Sequence, residues 1–213
     1  MNNSPLSISL SMLVASVTGY LWWQDLRANR NGTPNPTALP GAAGCSRKFL
    51  TTATLGGIFL VALESTGEIL LGLADEQKDI TAFFLGAMLA AAIVEEIIFR
   101  GYIVISNQGR AWLVTSAIGA SLLFALAHDF LWQYKPAEGM PWWYLTEAIS
   151  PSVTIKAWYS FGFAFAVSLY FYWLRFHPRN SSRSLLPCFL AHAARNMTVF
   201  AIKAAQGHVT GWF

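Results

Sequence analysis

The run Ala90-Ala91-Ala92-Ile93-Val94-Glu95-Glu96-Ile97-Ile98-Phe99-Arg100 sets two glutamates side by side, with no polar residue for about a dozen positions upstream. If the run lies in a bilayer, each carboxylate must be paired, protonated or turned toward water, because a charge at the membrane centre costs at least about 2.5 kcal/mol. A cost of that kind is rarely carried without a role, so function is sought around Glu95 and Glu96.

Composition places the run in a membrane. Hydrophobic residues make up 54% of the chain and charged residues 12%, about half the charge fraction of soluble domains. Mean hydropathy is +0.42. Nine tryptophans and fifteen phenylalanines suit a lipid-facing surface with interfacial belts. The expected fold is all-α, a polytopic membrane helix bundle of about six transmembrane helices, each about 20 residues long. The spans are read at residues 5–23, 49–73, 80–105, 111–131, 154–176 and 185–205. His192, Arg195, Asn196 and Lys203 interrupt the last. Residues 1–79 form N-terminal membrane helices with a basic loop, and residues 80–205 form the core.

The first span does not read as a signal peptide. No Lys or Arg precedes it, no small-residue cleavage site follows it, and it ends in the anchor pair Trp22-Trp23. Asn29 to Ala43, rich in Asn, Pro, Gly and Thr, reads as an irregular loop. Basic residues alternate by loop. Arg27, Arg30, Arg47 and Lys48 lie in the first, Arg100 and Arg110 around the third, and Arg175, Arg179 and Arg183 around the fifth. The second holds Asp75, Glu76, Lys78 and Asp79, and the fourth Lys135, Glu138 and Glu147. The odd loops are therefore expected to be cytoplasmic, with both termini outside. The chain reads as a multi-pass integral membrane protein, expected in a bacterial inner membrane. The pI of about 9.0 follows from these loops. No basic stripe supports nucleic-acid binding.

The fourth loop also crowds Trp132, Tyr134, Trp142, Trp143 and Tyr144, read as an interfacial belt, with a lid over the polar centre as the sharper alternative. Cys45 and Cys188 are far apart and read as free thiols.

Three spans carry ionisable groups in apolar surroundings. The third has Glu95, Glu96 and Arg100, the fourth Phe124 through His128, and the sixth His192 through Asn196. Glu96 and Arg100 are four apart and can pair on one helix face; His192 and Asn196 also project together. On a regular helix Glu95 is turned about 100° from Glu96 and faces elsewhere. A carboxylate in an apolar cavity can act as general base or acid near neutral pH. A neighbouring histidine can orient the same water, and a second histidine with an amide can donate to an oxyanion. Such a set hydrolyses an amide bond with water as nucleophile. A serine or cysteine triad fits less well, although Cys188 with His192 four residues on keeps it formally open. Two histidines and a glutamate are also a zinc set, a minority alternative here because no His-Glu-x-x-His pair fixes two ligands on one helix. The preferred reading needs no metal or other cofactor.

Glu-Glu-x-x-x-Arg, Phe-x-x-x-His and His-x-x-x-Asn, in that order at Glu95–Arg100, Phe124–His128 and His192–Asn196, resemble the CPBP family of intramembrane proteases. That family includes CAAX-processing endopeptidases and bacterial Abi proteins. The resemblance covers about residues 80–205. It implies that Glu95 activates a water, His128 helps hold it, His192 and Asn196 stabilise the oxyanion, and Glu96 with Arg100 braces the helix. Phe124 is implied as structural support. The implied partner is a membrane-anchored or lipid-modified protein or peptide in the bilayer. Larger members carry eight spans against the six counted here, which concerns the substrate entrance rather than the chemistry.

Other polar residues take plainer readings. Glu64 and Glu68 lack an obvious basic partner and are placed near the outer interface. Asp129 caps the fourth span, Arg195 faces the inner loops or pairs with a carboxylate, and His177 and His208 are solvated. The Phe- and Tyr-rich fifth span packs and faces lipid. Intramembrane Glu, His and Arg also occur in proton-coupled transporters, though no inverted repeat supports that here. A non-catalytic immunity or scaffold protein is the third class.

Overall fold

The computed structural model describes residues 4–74, 79–135 and 148–212. Two readings made above lie outside them: the second-loop charges Asp75, Glu76 and Lys78, and the fourth-loop residues Glu138, Trp142, Trp143, Tyr144 and Glu147. Among the described residues the fold is all-α apart from one short strand pair. Its helices are α1 (Pro5–Arg30), α2 (Arg47–Leu70), α3 (Phe84–Glu95), α4 (Arg110–Ala127), α5 (Ile155–Phe176) and α6 (Leu186–Ala205). A π-helical segment, Glu96–Ile103, continues α3. The short strands are β1 (Trp132–Tyr134) and β2 (Ile149–Pro151). By length and apolarity α1, α2 and α4 are fit to cross a membrane. The other expected spans are helical too, and of these α3 with its π continuation and α6 carry Glu95, Glu96, Arg100, His192 and Asn196.

The chain divides into two compact units. The first comprises Met1–Val104 with Phe171–Phe213, and the second Ile105–Tyr170. In the first, α1 packs on α3, and α6 packs on both α2 and α3. Small residues allow close approach, as is common between membrane helices. A Cβ on Gly86 would stand 2.5 Å from the sulfur of Met12, and one on Gly57 would stand 2.2 Å from the carbonyl oxygen of Ala191. Outward faces of α1 and α2 are apolar and exposed, with Leu6, Leu10, Leu13, Leu55 and Phe59 among them. Ser4 and Ser46 cap α1 and α2, each accepting from the backbone N–H three residues on at 3.3 Å, so the first orphan donors of each helix have a partner.

The segment between α1 and α2 is irregular, as expected, but tied down. Asp25 accepts from Leu39 N at 2.8 Å and from Asn35 Nδ2 at 3.0 Å, and Trp22 Nε1 donates to Pro40 O at 3.0 Å. It also meets the α5–α6 turn, where Ser184 Oγ donates to Ala43 O at 2.6 Å and Leu185 N to Gly41 O at 3.1 Å. The basic ends of α1, α2 and α5 therefore share one end of this unit with the start of α6. The tail closes on the start of α3 through the bridge of Ile80 with Val209 and the pair of His208 Nδ1 with Asp79 Oδ1 at 2.8 Å.

In the second unit, β1 and β2 pair antiparallel with Trp132 opposite Pro151 and Tyr134 opposite Ile149. Ser168 of α5 donates to Ser121 of α4 at 2.9 Å, both fully buried. Two sequence readings need correction and two gain detail. The fourth span stops at Ala127, and its capping position is His128 rather than Asp129. His177 is partly exposed, and its ring also stacks on Phe49 at 5.0 Å. His208 is one-third exposed and also pairs with Asp79. Phe171 and Tyr172 face inward, with 0% and 4% exposure, because they pack on a buried cation.

Candidate active site

In the first unit the site begins where α3 ends. Glu95 closes the α-helix and Glu96 opens the π segment, in which backbone bonds reach one residue further than in an α-helix, a device frequent at functional sites. Glu96 and Arg100 meet as their spacing predicts, with Arg100 Nη1 3.1 Å from Glu96 Oε1 and neither side chain exposed. The same Oε1 lies 2.8 Å from Nδ1 of His192 on α6. One oxygen thus joins the guanidinium to the imidazole. With Nδ1–H donated to Glu96, the ring directs Nε2 to the Glu95 side, where Glu95 Oε2 lies 3.9 Å away.

Aromatic rings surround Arg100. Its guanidinium carbon lies 5.1 Å from the ring centre of Phe171, 5.3 Å from Tyr172 and 5.9 Å from Phe99, distances at which ring quadrupoles attract a cation. The Tyr172 hydroxyl donates to Phe99 O. Phe171 also stacks on His192, with centres 5.2 Å apart. Tyr172, Phe171 and Glu96 therefore fix the guanidinium and the imidazole as one unit. Removing one partner from a buried charge pair typically costs about 3–5 kcal/mol.

Asn196, one turn beyond His192, donates Nδ2 to Met88 O of α3 at 2.8 Å. Glu95 differs from Glu96 in exposure, 22% against none. It sits at an apolar cleft of about 330 Å³ between α1 and α3, walled by Leu10, Val14, Ala87, Ala91 and Val94. Oε2 of Glu95 and Oε2 of Glu96 are buried without a hydrogen-bond partner among the described residues, leaving acceptor capacity in the heart of the site.

In the second unit Phe124 and His128 come together as the Phe-x-x-x-His spacing expects. Phe124 is buried, and its ring lies 4.6 Å from that of His128. Nδ1 of His128 is 2.7 Å from Phe124 O. A carbonyl can only accept, so Nδ1 carries the proton and Nε2 of the neutral ring is the basic nitrogen. Phe130 stacks on the ring's far side in sequence, 5.6 Å centre to centre. The expected residues therefore form two groups. Glu95, Glu96, Arg100, His192 and Asn196 assemble in the first unit, and Phe124 with His128 in the second.

Sequence reasoning missed several partners. Glu64 of α2 does have a basic partner, since Arg195 Nη2 of α6 lies 2.6 Å from its Oε2. The reading that Arg195 pairs with a carboxylate is met; what the sequence did not mark is that the acid is Glu64. The aromatic cage and the bond of His192 to Glu96 had no comparable signal. Cys188 is fully buried and its thiol lies 3.2 Å from Phe171 O, while the ring it would need is held by Glu96, which removes the geometry of a Cys–His dyad. Burial pushes the thiol of Cys45, in the loop before α2, above its usual range, partly offset by the Ser46 backbone N–H. Among the described residues no group of three or more His, Cys, Asp or Glu is arranged to hold a metal ion.

Residues 77–198 match the family model described as Type II CAAX prenyl endopeptidase Rce1-like. The matched stretch is more than half of the chain and contains every expected site residue. No curated protein and no solved structure matches the chain.

Proposed function

The chain belongs to the type II CAAX prenyl endopeptidase Rce1-like family, and on that premise we propose that it is an intramembrane endopeptidase in which Glu95 activates water to cleave a membrane-associated, lipid-modified protein or peptide. The observation that carries this reading is the asymmetry of the two glutamates. Glu96 is fully buried and held by Arg100 and His192, whereas Glu95 is 22% exposed and lines a cleft.

In this reading Glu95 takes a proton from water, whose oxygen attacks the scissile carbonyl. The tetrahedral intermediate carries its charge on the former carbonyl oxygen. Nε2–H of His192, when the ring holds both protons, and the second N–H of the Asn196 amide donate to that oxygen. Collapse breaks the C–N bond, and the leaving amine takes the proton held by Glu95. General base catalysis of this kind supplies about 10²- to 10⁴-fold, and a preorganised oxyanion donor about 10²- to 10³-fold. Glu96 and Arg100 brace the imidazole and take no proton. By the family motif His128 shares in holding the water. The residues need no resident metal for these steps.

The test uses purified protein in liposomes with a fluorogenic prenylated peptide. Glu95→Gln is expected to abolish cleavage while leaving the unfolding midpoint in place. Full activity in Glu95→Gln overturns the assignment. A scaffold protein would keep its cellular phenotype in that variant, and a transporter would lose proton-coupled flux instead. Stoichiometric zinc with chelator-sensitive cleavage would replace the water-only mechanism. A bacterial inner-membrane location is part of the same proposal and is checked by membrane fractionation.

A further inference from the structure

Helix α6 presents two stripes one residue apart. Ala191 and Arg195 face α2, and His192 and Asn196 face α3 with its π segment. On the first stripe, the Ala191 carbonyl lies so near Gly57 that a Cβ there would meet its oxygen at 2.2 Å. One turn on, Arg195 Nη2 is 2.6 Å from Glu64 Oε2, with side chains 20% and 18% exposed. On the second stripe, His192 meets Glu96 at 2.8 Å and Asn196 meets Met88 O at 2.8 Å. The stripes are offset by about 100° on the helix surface, so an angle set on one side is transmitted to the other. Gly57 supplies a close contact but no directional bond, and the ion pair supplies the direction. Helix α2 ends before residue 77, where the family match begins, so the family pattern assigns Glu64 nothing.

We propose that Glu64 is a positioning residue of the peptidase reaction: its ion pair with Arg195 sets the rotation of α6 and thereby aims His192 and Asn196. The proposal rests on the endopeptidase reading above. Without Glu64, the Arg195 guanidinium must seek water or another acceptor, because an unpaired charge in an apolar setting is costly. The helix that carries it turns, and the imidazole and amide turn with it. Neither Glu64 nor Arg195 lines the cleft beside Glu95, so substrate affinity is left alone and turnover suffers.

The experiment compares wild type, Glu64→Gln, Arg195→Lys and the double swap Glu64→Arg with Arg195→Glu, all in liposomes with the prenylated peptide. Three quantities are measured on each: kcat and KM, the unfolding midpoint, and the ¹⁵N shifts of His192, which report its bond to Glu96 without turnover. Glu64→Gln is expected to lower kcat at least about tenfold, as small misplacements of catalytic groups do, with KM held within about twofold and the His192 shift moved. The swap is expected to recover most of both. Arg195→Lys falls between, since an ammonium keeps the charge and loses the fork. Wild-type kcat and an unmoved His192 shift in Glu64→Gln overturn the proposal, as does a folded swap variant no better than Glu64→Gln. If Glu64→Gln does not fold, Arg195→Lys and the swap decide by the same criteria. An inactive wild type counts against the endopeptidase reading alone, and the His192 shifts then still decide the role of Glu64.

Discussion

Two histidines in this chain are held in apolar surroundings by opposite means. His192 is bonded to Glu96, 96 positions away in sequence, and stacks on Phe171 from a third helix. His128 is bonded to the carbonyl of Phe124, four residues back, and stacks on Phe130, two residues on. The first grip exists only once α3, α5 and α6 have packed. The second is a property of one helix end and the turn that follows. A long-range grip ties the site to global stability, whereas a local grip lets a side chain be replaced without dismantling its neighbours.

The largest effect is expected where the long-range grip is broken outright. Arg100→Leu leaves the fully buried Glu96 with the imidazole of His192 as its remaining hydrogen-bond partner and empties the cage of Phe99, Phe171 and Tyr172. Stability should fall by about 3–5 kcal/mol, read as a lowered unfolding midpoint and a poor folded yield in detergent. A variant that unfolds like wild type would mean that His192 alone holds the glutamate, and the contrast between the two grips would shrink to one hydrogen bond.

A smaller loss is expected at the helix contact that lets α6 approach. At Gly57 even one methyl group meets backbone rather than a side chain that can swing away. Gly57→Ala should therefore cost about 1–3 kcal/mol, the range of overpacking, through a shift of α2 from α6. Cleavage should fall with it. Unchanged stability would show that the helices separate freely there and that the ion pair of Glu64 with Arg195 works alone.

These contrasts also mark what was legible in the residues. Spacing within one helix was enough to pair Glu96 with Arg100 and Phe124 with His128, because residues four apart share a face. Hydrophobic runs located the six named helices, α3 taken with its π segment, within about four residues of their observed bounds, except that α1 runs on to Arg30, well past the expected end at Trp23. Contacts between helices were not legible. Met88 reaches Asn196 through a main-chain carbonyl that every residue possesses, so nothing in the side-chain pattern marks it. Phe171 and Tyr172 read only as part of a packing and lipid-facing surface, because aromatic residues suit both lipid and a buried guanidinium. The switch from α- to π-helix at Glu96 has no compositional signal.

The smallest stability effect is expected at the local grip, and it separates structure from chemistry most cleanly. His128→Ala removes one hydrogen bond to a carbonyl at the end of α4 and one face of contact with Phe124 and Phe130. A single such bond contributes about 0.5–1.5 kcal/mol, so the unfolding midpoint should move little. If His128 helps hold the water, cleavage should nonetheless fall by about 10²-fold or more. The pair of measurements reads the two grips against each other. Large loss of turnover with a small loss of stability marks His128 as a working group in a self-contained turn. Equal losses of both would make it a packing residue, and the hydrolytic set would shrink to the groups that α3 and α6 bring together.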